Sequence, residues 1–127
     1  KLCKHIHINK GLIIIVDYGY IKPINNFTLQ TVSRHKKTHI FENIGLQDIT
    51  SLVNFDELVN IAKDLNLNII TYSTQREFLI RNGILERKKI LEKQLSKEKK
   101  ILFNQQFEKI VQINGMGNEY KVLVVSS

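Results

Sequence analysis

The stretch Gly11-Leu-Ile-Ile-Ile-Val-Asp-Tyr-Gly-Tyr20 decides the fold class of this chain. The aliphatic run Leu12 to Val16 has no polar alternation, which is typical of a strand covered on both faces inside a parallel sheet. Asp17 to Tyr20 is expected to end this strand, because Gly19 permits a sharp turn. Open α/β sheets bind ligands at the carboxyl ends of such strands, so a candidate site lies here.

Two consecutive segments between Asn54 and Ser73 predict a helix followed by a second strand. Asn54 is expected to cap a helix that runs to about Leu65, with Glu57 completing a capping box and Val53 facing Leu58 as a hydrophobic staple. Leu67 to Ser73 then predicts a strand.

The part of the chain from Thr74 onward predicts helices inserted before a final strand. Thr74-Gln-Arg-Glu77 is a second capping box, and it opens a short helix that Gly83 closes. Ile84 to Val111 predicts one or two helices, and Tyr120 to Val125 predicts a terminal strand that is apolar on both faces. The inward positions of these helices are predicted to be Leu91, Leu95, Phe103, Phe107 and Ile110.

Two segments show no clear period. Residues 1–10 are basic and predict no element, and Ile21 to Val53 predicts a long excursion over the surface. Loops of that length in a compact domain are usually functional. The resulting order, with strands separated by helices, predicts an α/β fold.

Composition limits the class of protein. The 127 residues, of which 43% are hydrophobic and 24% charged, suit one globular domain or part of one. The longest apolar run is strand-sized, which argues against a membrane span. A single cysteine, Cys3, excludes an internal disulfide and suits a reducing compartment. Because the chain begins at Lys1 rather than Met, we expect it to be a piece of a longer protein.

The net charge of +7 raises the alternative of a nucleic-acid binder. Most of the basic residues are lysines, and Ile and Asn are also abundant, a bias that an AT-rich coding sequence produces by itself. Lysines spread over helices usually form solvated faces. The charge alone therefore argues weakly for nucleic acid.

Several polar clusters are candidates for chemistry, each with a structural alternative. Asp17 with Tyr18 and Tyr20 could bind a cation or position a nitrogen, or Asp17 could cap a turn. The basic cluster from Arg34 through His35 to Lys37, with His39, could grip an anion, or it could be an exposed loop. Asp48 could present a carboxylate to the same cleft. Metal binding by Cys3, His5 and His7 finds little support, since no second ligand cluster follows.

A set of short motifs in one order resembles the C-terminal part of the MidA family of S-adenosylmethionine-dependent methyltransferases. The motifs cover the chain from Gly11 onward: Gly11–Tyr20, Thr28-Leu-Gln30, Arg34-His35, Asp48-Ile-Thr50, Val53-Asn-Phe55, Thr74-Gln75, Glu77-Phe-Leu79, Gly83-Ile84, Met116-Gly117 and Tyr120-Lys-Val-Leu123. Relatives usually carry Asp at the position of Asn54, and either residue caps a helix.

The resemblance implies the C-terminal half of a class I, Rossmann-like methyltransferase sheet, with a helical insertion between the last two strands. Residues 1–127 would be one segment of the catalytic domain. The elements that bind S-adenosylmethionine, a glycine-rich turn and an acidic ribose ligand, would precede this chain.

The implied reaction is methyl transfer to a protein arginine. Because the arginine pKa is about 12.5–13.8, carboxylates and positioning must make its nitrogen reactive. Asp17 and Asp48 are the carboxylates expected to do so. The acceptor side would be lined by Tyr18, Tyr20, Gln30, Arg34 and His35.

The resemblance also implies partners and a compartment. Relatives in mitochondria assist respiratory complex I assembly, so a subunit of a respiratory complex is one candidate substrate. The bacterial cytoplasm is the expected location, with the mitochondrial matrix as the alternative. The other function left open is a non-catalytic interaction module or the remnant of a split gene. The isolated chain would leave Leu12–Val16 as an unprotected sheet edge, so its aggregation or homodimerisation is expected.

Overall fold

The computed structural model describes residues 1–34 and 36–127. Within them the strands form one four-stranded and one three-stranded sheet. The strands are β1 (Leu12–Tyr20), β2 (Gln30–Ser33), β3 (Lys36–Thr38), β4 (Asp48–Thr50), β5 (Val53–Asn54), β6 (Asn68–Thr74) and β7 (Tyr120–Ser126). The helices are α1 (Leu2–Asn9), α2 (Phe55–Asp64), α3 (Gln75–Arg81), α4 (Ile84–Lys93), α5 (Lys97–Val111) and α6 (Met116–Glu119).

The larger sheet is mixed, with the strand order β5-β1-β7-β6. The last strand, β7, lies between β1 and β6 and is antiparallel to both. In contrast, β5 runs parallel to β1 and pairs only with Gly19 and Tyr20. The predicted α/β class and the three long strands are therefore confirmed. The segment from Asp17 to Tyr20, predicted to be the turn that ends the first strand, instead belongs to that strand, which continues to Tyr20.

The expectation that β1 is covered on both faces is wrong for this chain. Strand side chains alternate between faces, and only one face of β1 meets the described core. Ile13 and Ile15 pack against that core. Leu12, Ile14 and Val16 are 52%, 55% and 47% exposed on the other face. A uniformly apolar run allows both faces of a strand to be buried. Whether both are buried depends on which other elements pack against the strand in the tertiary structure.

The strand that is buried on both faces is β7. Its residues from Val122 to Val125 are all buried, which is consistent with a run that is apolar on both faces. The strand contacts α2, α3 and α6. Phe55, at the start of α2, is completely buried and forms the centre of the core. The other buried members of this cluster are Ile6, Val59, Ala62, Leu67, Leu123 and Val125.

Both predicted N-caps are present, and of the two predicted capping boxes the structure forms the one at Thr74. The Asn54 side chain accepts a hydrogen bond from the Glu57 backbone N–H at 3.3 Å and begins α2. The Thr74 hydroxyl accepts from the Glu77 N–H at 3.3 Å, and the Glu77 carboxylate accepts from the Thr74 N–H at 3.1 Å. This reciprocal pair satisfies donors that the first turn of α3 would otherwise leave free.

The helices between β6 and β7 confirm the predicted insertion. Two side chains of α3 fasten it to the end of α5. Gln75 Nε2 donates to the Ile110 carbonyl at 2.8 Å, and Arg76 Nη1 donates to the Val111 carbonyl at 2.6 Å. These carbonyls belong to the last turn of α5, whose acceptors have no partner within the helix.

The two segments without a sequence period contain regular structure. Residues 1–10, predicted to hold no element, form α1, and its Ile6 enters the core. The segment from Ile21 to Val53, predicted as a surface excursion, contains the sheet β3-β2-β4. Its strands have three or four residues each, too few for a two-residue period to stand out.

Candidate functional site

One cavity brings together two of the predicted acceptor-side residues, Tyr18 and Gln30. It has a volume of about 230 Å³ and lies where β1 meets the small sheet. Gln30 of β2 pairs with Thr50 of β4, which places both side chains at the same edge. The complete lining is Tyr18, Gln30, Val32, Thr50, Ser51 and Leu52.

Tyr18 stacks on Tyr120, a residue that the sequence did not single out as part of a site. The two residues are register partners in β1 and β7, and their ring centroids are 3.9 Å apart. Interaction with the Tyr18 hydroxyl, together with burial, raises the pKa of Tyr120 to about 12. At neutral pH the Tyr120 side chain is therefore uncharged, and the two rings together form an aromatic surface. The terminal strand contributes to the site only because it pairs with β1.

Asp17 lies on the other face of β1 from Tyr18. Its carboxylate accepts the Tyr18 backbone N–H at 2.8 Å, and its register partner in β7 is Lys121. Burial lowers the pKa of Lys121, while the nearby Glu119 opposes the shift. The structure thus separates Asp17 from the cavity that contains Tyr18 and Gln30.

A second, larger cavity brings Arg34 and Asp48 together. It has a volume of about 640 Å³ and lies between the small sheet and the loop that precedes β4. Arg34 adopts a left-handed backbone conformation, with φ of 50°, immediately after β2. The lining consists of Val32, Ser33, Arg34, Asn43, Gly45, Leu46, Gln47 and Asp48. The two predicted carboxylates, Asp17 and Asp48, therefore do not share a cavity.

The remaining two predicted residues lie elsewhere. Tyr20 is half-buried at the end of β1, beside Asn54 of β5. His35 lies outside the described residues, although Arg34 before it and Lys36 after it are described.

Gln47 holds the wall of the larger cavity in place, a role that sequence reasoning missed. Its Oε1 accepts from the Thr38 hydroxyl at 2.6 Å, and its Nε2 donates to the Ile40 carbonyl at 2.9 Å. Both partners lie several residues away, so no local spacing indicates the contact. Through these bonds Gln47 ties the loop before Asp48 to β3.

The described cavities do not by themselves fit S-adenosylmethionine. That molecule needs an apolar slot for adenine and an acceptor, usually a carboxylate, for the ribose hydroxyls. The cavity at Tyr18 has no carboxylate in its lining, and the cavity at Asp48 is mainly polar. No step of methyl transfer is therefore assigned to a donor site within these residues.

Residues 1–34 and 36–127 contain neither a metal-binding cluster nor a membrane-spanning helix. No cluster of three or more His, Cys, Asp and Glu residues there could hold a metal ion. Cys3, His5 and His7 lie on α1, where residues two apart point in different directions around the helix. None of the described helices is long and apolar enough to cross a membrane.

Comparison with known structures shows the fold. An uncharacterized COG1565 superfamily protein from Burkholderia thailandensis superposes with a TM-score of 0.81 at 21% identity, covering 98% of this chain and 36% of that one. A second COG1565 superfamily member from that organism was solved bound to S-adenosyl-homocysteine. It superposes with a TM-score of 0.77 at 23% identity, covering 92% of this chain and 32% of that one.

Comparison of sequences shows the family. The "Protein arginine methyltransferase NDUFAF7 homolog, mitochondrial" of Caenorhabditis elegans is 35% identical over 79 residues, which is 61% of this chain and 18% of the worm protein. This chain thus spans about a fifth of that relative and about a third of the solved structures. Residues 4–73 match the family described as "Putative S-adenosyl-L-methionine-dependent methyltransferase". The chain belongs to this family of S-adenosyl-L-methionine-dependent methyltransferases.

Proposed function

We propose that this chain is the C-terminal part of the catalytic domain of a methyltransferase that modifies protein arginine. The observation that carries the placement is the uncovered face of β1, where Leu12, Ile14 and Val16 are about half exposed. Three adjacent aliphatic side chains on a long strand are normally buried, so further elements of the domain would cover them. The name of the worm relative supports arginine as the acceptor.

The two cavities suggest how the acceptor side would work. A guanidinium group is a planar cation that pairs with carboxylates and stacks on aromatic rings. Asp48, in the larger cavity, would accept hydrogen bonds from the acceptor arginine. The Tyr18–Tyr120 pair would offer an aromatic surface, and Gln30 a polar contact beside it. Arg34 would pair with acidic residues around the substrate arginine.

Asp17 has a different role in this proposal from Asp48. Its carboxylate accepts the backbone N–H of Tyr18 and lies on the opposite face, so Asp17 would position Tyr18 rather than touch the acceptor. Tyr20, at the end of the same strand, and His35, next to Arg34 in the chain, remain proposed members of the acceptor side.

Paired substitutions in the complete enzyme separate these roles. Asp48→Asn keeps the size of the side chain but removes its charge, so single-turnover methylation should fall about a hundredfold, as for loss of one electrostatic stabiliser. Asp17→Asn should reduce the rate less and lower stability by about 1 kcal/mol. Asp64→Asn, in the exposed last turn of α2, is the matched control and should change neither quantity. Full turnover in Asp48→Asn would remove Asp48 from the site.

Donor binding tests the proposed position of the chain in the domain. Calorimetry with S-adenosyl-homocysteine should give no micromolar binding to the 127-residue chain and clear binding to the complete enzyme. Micromolar binding to the 127-residue chain would contradict the proposal that the donor elements lie outside it.

The exposed β1 strand also favours the alternative of a non-catalytic module. A strand whose Leu12–Val16 edge has no partner among the described strands can pair with a second copy, so a homodimer is proposed for the isolated chain. The coding sequence before Lys1 discriminates between the two functions. An intact frame that encodes a glycine-rich loop after a strand favours the enzyme, and a stop codon favours the remnant of a split gene.

The partners and the compartment are proposed from the family resemblance. A protein substrate is proposed, with a respiratory complex subunit as one candidate, in the bacterial cytoplasm or the mitochondrial matrix. A nucleic-acid partner would require binding that weakens steeply as salt rises. Absence of DNA or RNA binding at low salt would exclude it.

A further inference from the structure

The helical insertion contains a groove between α4 and α5 that the acceptor-side residues do not use. The groove has a volume of about 300 Å³, at the lower end of the range for ligand sites. Its floor is apolar, and its polar lining is basic or neutral. The lining consists of Ile84, Arg87, Lys88, Leu91, Phe103, Gln106, Phe107 and Ile110.

The charged residues that line the groove are all basic. Arg87 and Lys88 line it, and no carboxylate does. Lys88 is held in place, because its Nζ lies 3.2 Å from Glu92 Oε2 and 5.3 Å from the centroid of the Phe107 ring. Asn104 holds Glu92 from α5 with a 2.9 Å hydrogen bond to Oε1. Residues 84–111 carry eight Lys or Arg against four Glu, so the surrounding field is also positive.

The apolar floor is only partly buried. Leu91, Phe103 and Phe107 are all of intermediate exposure, although they are the inward positions of their helices. Burial of such side chains contributes roughly 25 cal/mol per Å². An occupant with apolar side chains would therefore gain from covering them, and its acidic groups would pair with the basic rim.

We propose that this groove binds an acidic, amphipathic helix of a partner protein. Helices of this kind place apolar anchors at i, i+3 or i+4, and i+7 into a groove between two helices. The ten residues of α4 give the groove a length of about 15 Å, which matches two to three turns of such a helix. Carboxylates beside the anchors would pair with Arg87, because Lys88 already pairs with Glu92. A membrane surface fits less well, because it binds a projecting apolar face rather than a concave one.

The probe is a synthetic 16-residue peptide with capped ends, leucines at helical spacing and glutamates on both flanks. A scrambled peptide of identical composition removes the apolar stripe and keeps the charge. Fluorescence anisotropy with the 127-residue chain should give a Kd for the amphipathic peptide at least about tenfold below that of the scrambled one. The amide NMR signals that shift on binding should belong to residues 84–91 and 103–110.

Two charge-reversal variants, one in the groove and one outside it, test whether the peptide binds in the groove. Arg87→Glu should raise the Kd about tenfold, because it puts a carboxylate on the rim. Lys109→Glu makes the same change in charge on an exposed position of α5 that does not line the groove, and it should leave the Kd within about twofold. Circular dichroism should show equal helix content in both variants.

Several results would overturn this proposal. Equal affinity for the two peptides, equal loss in both reversals, or amide shifts outside α4 and α5 would each show diffuse charge attraction instead. Binding of phosphatidylserine vesicles or oleate through Arg87, without binding of the peptide, would assign the groove to a lipid. If a variant loses helix content, its Kd is set aside, and the amide shifts of the unmodified protein show whether the peptide binds between α4 and α5.

Discussion

Replacing Gly19 by alanine tests how β1, β5 and α2 pack together. Gly19 is buried opposite Val53, and an added Cβ would overlap the Val53 carbonyl oxygen. The same Cβ would lie 2.6 Å and 2.7 Å from two ring carbons of Phe55, closer than real Cβ contacts. The backbone oxygen cannot rotate away, and the ring is completely buried. We therefore expect a loss of about 3 kcal/mol, at the upper end of the usual cost of overpacking.

Thermal and urea unfolding of the 127-residue chain measure this loss. A loss of about 3 kcal/mol should lower Tm by roughly 10 °C for a chain of this size. Gly45→Ala is the matched control, because its Cβ would meet no atom within 4 Å and only its φ of 85° opposes the change. Gly45→Ala should lower the free energy of unfolding by about 1 kcal/mol. Replacing the Phe55 ring by leucine in the double variant Gly19→Ala/Phe55→Leu should not restore stability, because the added Cβ would still overlap the Val53 carbonyl oxygen. Wild-type stability in Gly19→Ala would refute the described packing of β1 against β5.

Three further predictions concern a cap, a titration and a loop. Thr74→Ala should lower the free energy of unfolding by about 1 kcal/mol, and Thr74→Ser should retain most of it; equal losses in both would argue against the capping box. In an ultraviolet titration one tyrosine should ionise near pH 12, and Tyr18→Phe should move that pKa toward its ordinary value. Because the pKa of Tyr120 is raised on folding, its contribution to stability is complete below about pH 10 and is lost as the pH rises toward 12, which unfolding curves over that range should show. Gln47→Ala should speed amide hydrogen exchange in β3 and the loop before β4, since it removes three hydrogen bonds; unchanged exchange there would contradict its proposed role.

The sequence predicted some residues of the candidate site and missed others. Tyr18 and Gln30 were expected on one side and do share a cavity, as do Arg34 and Asp48. Tyr120 was missed as a member of the site, because it is about a hundred residues from Tyr18 in the chain and meets it only through the pairing of β1 with β7. Asp17 was expected to act at the same acceptor site but lies outside both cavities, because the alternation of side chains along β1 puts Asp17 and Tyr18 on opposite faces.

The sequence by itself determined the local elements of this protein. The caps at Asn54 and Thr74 involve groups three residues apart, and the apolar run of β7 marks a strand wherever it lies. The tertiary structure alone decided that β7 takes the position buried on both faces while β1 keeps one face exposed. It also decided that the short strands between Ile21 and Val53 form a sheet with the two cavities at its edges. Strand pairing and burial depend on residues distant in the chain, and no short window of sequence contains both partners.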